Sequence, residues 1–387
     1  MTMLSKLSSV VSLPAFALAS CAAAETGETA ANGATDAAYT VTAMGEFERP
    51  WAIEFAPGTD TLFITEKSGT LKLMNTLSGT VSTVVGAPEV AFAGQGGLGD
   101  VAFLESEAGM PLDGRTIYLS WAEGGDGSTY GAAVGRGRLS CDEAGEDCAV
   151  SDLAVIWRQS LKTGRRGHYS HRIQFSPDEQ HMFIASGDRQ ELDPAQDLTN
   201  NLGTIVRLNL DGTPAASNPF AGQGEVQSQI WSYGHRNILG MDWDADGRLW
   251  EIEHGPAGGD ELNLVRQGAN YGWPTRSYGD HYNGDPIADH SADDGFVKPA
   301  AHWTPVIAPG DMIIYSGEMF GPWQGNALIA GLSSKALVRV AIDGESAREV
   351  ERYGFDARLR SVEQGPDGSI WVAEDGEGGR VLRISAK

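Results

Sequence analysis

Residues Trp51 to Met74 read WAIEFAPGTDTLFITEKSGTLKLM: an apolar alternation, a turn, a second alternation and a glycine. The same order returns in IQFSPDEQHMFIASGDR (Ile173 to Arg189), MDWDADGRLWEIEHG (Met241 to Gly255) and VEQGPDGSIWVAEDGEGGRVLRI (Val362 to Ile384). Weaker copies lie at Leu98 to Trp121 and Met312 to Asp343. Apolar positions at period two, parted by turns such as PDG or ADG, mark paired strands. Six such units suit a six-bladed β-propeller, whose four-stranded blades each take roughly 40–50 residues. The excess length goes into long loops on the top face. A β-sandwich is the competing all-β fold, but evenly spaced units with inserted loops argue against it. Residues 39–387 are therefore expected to form one propeller domain, its first and last strands closing a shared blade.

Composition agrees. Among 387 residues there are 50 glycines and 10 tryptophans, and long Ala/Leu/Glu/Lys runs are absent, which favours short strands and tight turns. The formal net charge of −24 repels phosphate backbones and anionic membranes, so nucleic acid is not an expected partner. Lys6 precedes an apolar region from Leu7 to Ala19, too short and too lightly flanked for a membrane span, so residues 1–20 read as an export signal. Leu18-Ala19-Ser20-Cys21 resembles a bacterial lipobox, which would put a lipid on Cys21 and make that lipid the one membrane attachment; ordinary cleavage between Ala22 and Glu25 is the alternative. The Ala/Gly/Thr/Glu-rich segment that follows, residues 21–38, has no apolar period and reads as a flexible tether. Cys141 and Cys148 flank the acidic loop DEAGED. In an exported, periplasmic chain a local disulfide is the natural reading and a metal pair the weaker one.

Chemistry concentrates between Trp231 and Pro274. Arg236 and Asn237 stand in GHRN at a strand mouth, where they can hold an anion or a polarised oxygen. The turn GPAGGDE (Gly255 to Glu261) offers backbone carbonyls and the adjacent carboxylates Asp260 and Glu261, a donor set suited to Ca²⁺. Elsewhere, His168 in GHYSHR precedes an alternating strand, where a neutral imidazole can act as general base, although a structural histidine is the commoner occupant. Gln95 sits in GQGGLGD, whose glycines let the backbone approach a ligand. Arg358 and Arg360 in RLR share one side of a strand start, and Lys335 in GLSSKALVRV takes an equivalent position. Arg236, Lys335, Arg358 and Arg360 would form a cationic cluster built for an anion, unless each pairs with a local carboxylate. Arg276 to Lys298 has no period and reads as a long loop, placed to cover a site.

Taken in order, GQGGLGDVAF, HYSHRIQFSPD, GDRQELDPAQDLTNNLGTIVRLNLDGT, YGHRNILGMDWD, EHGPAGGDELNLVRQGANYGWP, GLSSKALVRV and RLRSVEQGPDGSIWVAED resemble the soluble aldose (glucose-type) dehydrogenases that use pyrroloquinoline quinone (PQQ). The likeness runs from about Arg49 to Ile384. It implies a six-bladed propeller with PQQ at the top of the central channel and oxidation of an aldose sugar to its lactone. By motif position, His168 matches the catalytic base that takes the anomeric hydroxyl proton. Arg236 matches the group that stabilises the oxyanion on the cofactor. Gln95, Arg236, Asn237, Lys335, Arg358 and Arg360 match contacts to the quinone or its carboxylates. The Gly255 and Pro256 carbonyls match ligands of the Ca²⁺ that bridges to PQQ, and Asp260, Glu261 and the Tyr271 carbonyl match a nearby structural Ca²⁺ site. A tricarboxylate cofactor is what a cluster of guanidinium groups would be needed to bury.

The chain departs from the pattern in places. Gly167 precedes the base where some members have an acid that orients it, and Thr204 stands where many carry lysine. Thr304 in HWTPVIAP is given no contact. A Ca²⁺-dependent lactonase on a similar propeller would need carboxylates converging in the channel, where this sequence offers cations. A binding-only propeller is the other class. The particular sugar and the electron acceptor are left open by the sequence.

Overall fold

The structure, a computed structural model, describes residues 39–387. The export signal, Cys21 and the tether lie outside the described residues. Six four-stranded antiparallel sheets are arranged as blades, and each of the six sequence units falls in a blade of its own. The innermost strands are Pro50–Phe55, Leu98–Ala102, Ser170–Phe175, Ile238–Trp243, Pro309–Ile314 and Leu359–Gln364. Each packs against the innermost strands on either side of it, and the ring closes from the sixth back to the first. Closure is made by Tyr39–Phe47, which becomes the outer strand of the last blade by pairing antiparallel with Gly379–Ala386, from Tyr39↔Ala386 to Phe47↔Gly379. The two ends of the described chain thus share one sheet, and the ring has no open seam.

The alternation is weakest in each blade's second strand, for a physical reason. Thr61–Glu66, Leu249–Glu253 and Ile370–Glu374 are buried along their whole length, because neighbouring blades cover both faces. Runs such as LFIT and IWVA are therefore apolar without a break. Outer strands such as Ser346–Gly354 face solvent and carry the charges. Cys141 and Cys148 are directly opposed across a hairpin of the second blade and form the expected disulfide, with Cα atoms 4.1 Å apart.

One side chain ties the axis together. The Arg172 guanidinium, 5% exposed, pairs with Asp100 at 2.9 Å and Asp311 at 3.1 Å and donates to the Leu239 carbonyl at 2.6 Å and the Gly310 carbonyl at 2.9 Å. It lies over the Trp51 ring, 4.2 Å from the centroid, and Asp311 in turn accepts from Ser361 Oγ at 2.5 Å. Every innermost strand thus contributes to one network around a single buried cation. Above it, Trp51, His171 and Leu239 line a cavity at the top of the channel.

The turn at GPAGGDE and the long loop are more ordered than their composition implies. Ala257–Gly258 pairs with Gly279–Asp280 in a small two-stranded ladder, so Arg276 to Lys298 is pinned next to the Gly255 turn.

Candidate active site

The cavity holds about 510 Å³, within the range of small-molecule sites. Gln95, Asn237, Arg358 and Arg360 line it, joined by His254 and by two cations that no motif had singled out, Arg49 and Lys67. Two positions recur in the lining, from four of the six blades: the residues just before or at the start of the innermost strand (Arg49, Asn237, Arg358) and the first residue after the second strand (Lys67, His254, Leu332, Asp375). Arg358 and Arg360 share one carboxylate, Asp375, at 3.0 and 3.1 Å. That shared anion explains how two guanidinium groups lie side by side, and it leaves their remaining donors available. Lys335 lies outside the lining: it stands on an exposed turn with φ 49° and its Nζ donates to the Asp356 carbonyl at 3.1 Å.

His168 sits at the cavity edge. Its backbone N–H donates to Gln95 Oε1 at 2.6 Å, and the next residues, Tyr169 and Ser170, line the cavity. The imidazole Nδ1 lies 2.7 Å from Asp188 Oδ1, and Asp188 Oδ2 accepts from Trp273 Nε1 at 2.7 Å. Burial pushes the His168 pKa below its ordinary value against the pull of Asp188, so the ring rests neutral near neutral pH. Burial works against the Asp188 charge too, but the His168 hydrogen bond and charge hold its pKa below the ordinary value. With Nδ1–H given to Asp188, the basic nitrogen is Nε2, which has no partner among the described residues. Asp188 therefore does the orienting work that Gly167 cannot.

The backbone here is strained. His168, Ser170 and His171 have φ of 48°, 56° and 52°, each costing on the order of 1–3 kcal/mol. Arg189, fully buried, holds the segment: its guanidinium donates to the Gly167 carbonyl at 2.8 Å, Tyr130 at 2.6 Å and Arg165 at 2.5 Å, and stacks 3.6 Å from the Tyr169 ring centroid. Gly187 is required beside it, because a methyl group there would stand 2.1 Å from the His168 carbonyl oxygen.

Arg236 lines a narrow cleft that shares His254 with the main cavity. Its guanidinium donates to the His254 carbonyl at 3.0 Å and to Tyr282 Oη at 3.3 Å, and it lies 5.1 Å from the Trp273 ring centroid. Tyr282 comes from the long loop, which thus reaches the site. The backbone N–H groups of Arg236 and Asn237 both donate to Glu253 Oε2, at 2.5 and 3.2 Å, and the Arg236 carbonyl accepts from the Asp188 N–H at 2.8 Å. His168 and the Arg236–Asn237 turn are therefore linked through Asp188.

Two places suit a hard cation. The Gly255 and Pro256 carbonyls accept no hydrogen bond among the described residues, and both residues line a second cavity that also touches Tyr282. Glu261 and Tyr271 line the Arg236 cleft, whose free space of about 10 Å³ is room for one water or ion. Burial and the neighbouring Glu253 push the Glu261 pKa well up, as for a carboxylate that lacks its counter-charge. Asp260 is placed differently: Oδ1 accepts from the Gly255 N–H at 2.9 Å and Oδ2 from the Ala308 N–H at 2.7 Å, so its carboxylate staples two loops.

A cationic cavity at the top of a six-bladed propeller, edged by a carboxylate-held neutral histidine, can take an anionic ligand beside a proton acceptor. The sequence model for glucose/sorbosone dehydrogenases matches residues 47–383. The chain is 34% identical over 347 residues to the aldose sugar dehydrogenase YliI of Escherichia coli, covering 88% of this chain and 91% of the relative. The crystal structure of the apo form of the E. coli soluble aldose sugar dehydrogenase superposes with a TM-score of 0.84, covering 90% of this chain and all of the other. The PQQ-bound aldose sugar dehydrogenase of Streptomyces coelicolor is 25% identical, with a TM-score of 0.71 over 90% of this chain and 98% of the other. Quinoprotein glucose dehydrogenase B of Acinetobacter calcoaceticus is 25% identical over 420 residues, covering 88% of this chain and 86% of the relative. The chain belongs to the glucose/sorbosone dehydrogenase family.

Proposed function

We propose that this protein oxidises an aldose sugar to its lactone with PQQ and Ca²⁺. The pairing of His168 with Asp188 at the edge of the cationic cavity carries the proposal. PQQ, when bound, supplies the hydride acceptor and Ca²⁺ the Lewis acid that polarises it.

The residues fit both groups. Arg358 and Arg360 keep free donors beyond those given to Asp375, and with Lys67 and Arg49 they face a cavity large enough for a tricyclic tricarboxylate. Gln95 and Asn237, from the second and fourth blades, add neutral polar groups to the lining. The Gly255 and Pro256 carbonyls would hold the catalytic Ca²⁺, and Glu261 with the Tyr271 carbonyl would hold a structural one.

His168 Nε2 accepts the proton of the sugar's anomeric hydroxyl, and the resulting imidazolium is stabilised by Asp188 through Nδ1–H. Arg236, fixed by the His254 carbonyl and Tyr282, places positive charge where an oxyanion develops. The residues around Tyr282 and Thr304 border the same mouth and would meet the substrate. Export belongs to the same proposal, with a lipid on Cys21 as the anchor; the Cys141–Cys148 disulfide supports an oxidising compartment.

The test is reconstitution. Purified apoprotein given PQQ and Ca²⁺ should reduce an artificial dye when supplied with glucose or another aldose. Absence of turnover across a sugar and alcohol panel, with PQQ bound, would refute the enzymatic reading.

A further inference from the structure

Behind the Arg236–Asn237 turn lies a polar cluster that the proposed reaction does not use. Strands Leu249–Glu253 and Asp260–Leu264 pair with Glu251 opposite Asn263 and Glu253 opposite Glu261, so all four side chains share one sheet face. Glu251 and Asn263 are 0% exposed, and so is His235 above them. No lysine or arginine side chain pairs with any of the three glutamates among the described residues. Among the described residues His235 is the one basic side chain against Glu251 and Glu253, so two buried carboxylates face a single imidazole, an arrangement that a bound cation would also balance.

We infer that His235, Glu251 and Glu253 form a transition-metal site, distinct in its donor set from the adjoining Glu261–Tyr271 cleft, which Glu253 also lines. The distances carry the assignment. His235 Nδ1 stands 3.5 Å from Glu251 Oε1 and 3.4 Å from Glu253 Oε1. An imidazolium hydrogen bond to a carboxylate closes to about 2.7–2.9 Å, and both contacts are longer than that by about half an ångström. A tetrahedral metal with ligand bonds of about 2.1 Å sets its ligand atoms roughly 3.4 Å apart, which both contacts match. Two polar atoms in this fully buried cluster have no partner, Glu251 Oε2 and Asn263 Oδ1. Asn263 Nδ2 donates to Glu251 Oε1 at 2.7 Å and holds that carboxylate beside the imidazole.

The surroundings suit ligands in the required state. His235 Nε2 lies 2.9 Å from Ser232 Oγ, which can accept its proton and leave the Nδ1 lone pair facing the carboxylates, and the ring stacks on Tyr271 at 4.3 Å. Glu253 Oε2 is fixed by the two N–H groups of the Arg236–Asn237 turn. One imidazole with two carboxylates selects Zn²⁺ or a neighbouring first-row ion over Ca²⁺, which takes six to eight oxygens. The ion would lock the turn that carries Arg236 and Asn237.

Metal analysis decides. Full-length protein expressed with zinc, dialysed against chelator-free buffer containing excess Ca²⁺ and left without PQQ should retain one equivalent of Zn²⁺, and Co²⁺ in its place should show the visible d–d bands of a tetrahedral site. Glu251→Gln should weaken retention by about tenfold or more, while Glu261→Gln should leave it intact. The inference is overturned if wild type neither retains Zn²⁺ nor gives the Co²⁺ bands. It is equally overturned if Glu251→Gln binds as tightly as wild type, or if NMR of the His235 ring in Zn²⁺-treated protein shows both nitrogens protonated. Should Glu251→Gln fail to fold, Ser232→Ala, which loses only the outer hydrogen bond, should still give weakened binding, and unchanged binding there would count against the site.

Discussion

Replacing Asp188 by asparagine probes the base without changing its size. Asp188 Oδ1 accepts from His168 Nδ1 at 2.7 Å and from the Gln190 N–H at 2.9 Å, while Oδ2 accepts from Trp273 Nε1 at 2.7 Å. Asparagine has one oxygen for these three donors. If its oxygen faces His168 and Gln190, its NH₂ opposes the Trp273 N–H. If its NH₂ faces His168, it takes the Nδ1 lone pair and moves the imidazole proton to Nε2, which abolishes the base. Either way a buried donor is stranded, at about 1–3 kcal/mol, or the catalytic tautomer is lost. General-base catalysis supplies about 10²–10⁴-fold, so kcat should fall roughly 10²–10³-fold, or about 3–4 kcal/mol of barrier. The carboxylate also raises the His168 pKa against the larger, lowering effect of burial. Removing it lowers that pKa further, so the acid limb of kcat/KM, where the base is protonated, moves to lower pH. The assay is steady-state dye reduction by reconstituted enzyme across pH, with PQQ affinity measured separately by absorbance titration. A variant with PQQ affinity intact, kcat within about threefold of wild type and an unmoved acid limb would refute Asp188 as the residue that positions the base.

Arg172→Ala leaves Asp100 and Asp311 buried without their cation and should cost about 3–5 kcal/mol, or roughly 4–7 °C in Tm for a domain of about 350 residues, read by calorimetry. Burial already raises the Asp311 pKa to about 6, against the pull of Arg172, and raises that of Asp100. Carboxylates with raised folded pKa values lose stability as pH rises through them, so the defect should shrink between about pH 7 and pH 5, and a defect that grows on acidification would contradict the network. Arg360→Gln should weaken PQQ binding by about 10–100-fold, the loss of a charged hydrogen bond, with kcat at saturation largely kept. Lys335→Met, outside the lining, should change it less than about threefold, and equal losses at both would return Lys335 to the site. Cys21→Ala should move the exported protein from the membrane fraction to the soluble periplasmic fraction, and an unchanged distribution would exclude the lipid.

The blades were legible in the sequence because strand alternation and PDG-type turns are local signals, and each unit carries them within about twenty residues. His168, Arg236, Asn237, Arg358 and Arg360 were visible because they stand at the starts of innermost strands, beside apolar runs that mark the position. Asp188, Lys67 and Asp375 were not. They follow second strands, and nothing nearby in sequence shows that the end of one hairpin strand meets the beginning of another blade's inner strand. Their partners lie 15 to 27 residues away or in other blades: Asp188 to His168, Asp375 to Arg360, Lys67 to the Gly94 carbonyl. The regularity of the lining supplies the missing rule, since the first residue after each second strand in a propeller of this kind is a candidate for the top cavity. Arg189 escaped for another reason. A buried arginine that serves only carbonyls has no sequence signature, and GDR reads equally well as a surface turn.

Arg172 and Arg189 also explain how an active site can be built on strained backbone. Three left-handed residues in the His168 segment store several kcal/mol between them, and a loop free to relax would release that strain and carry Nε2 away from the substrate. Arg189 prevents this by bonding three carbonyls on two sides of the loop, while Arg172, one residue beyond His171, anchors the strand that follows to the other five blades. Neither guanidinium lines the top cavity: their hydrogen bonds go to the Gly310, Leu239, Gly167, Tyr130 and Arg165 carbonyls and to two aspartates. Cations in this protein thus divide by burial. Those with their forks filled by the protein hold the geometry, and those at the cavity with donors to spare, Arg358 and Arg360, are the ones that can meet an anion. In a chain of net charge −24, that division keeps positive charge facing the cavity.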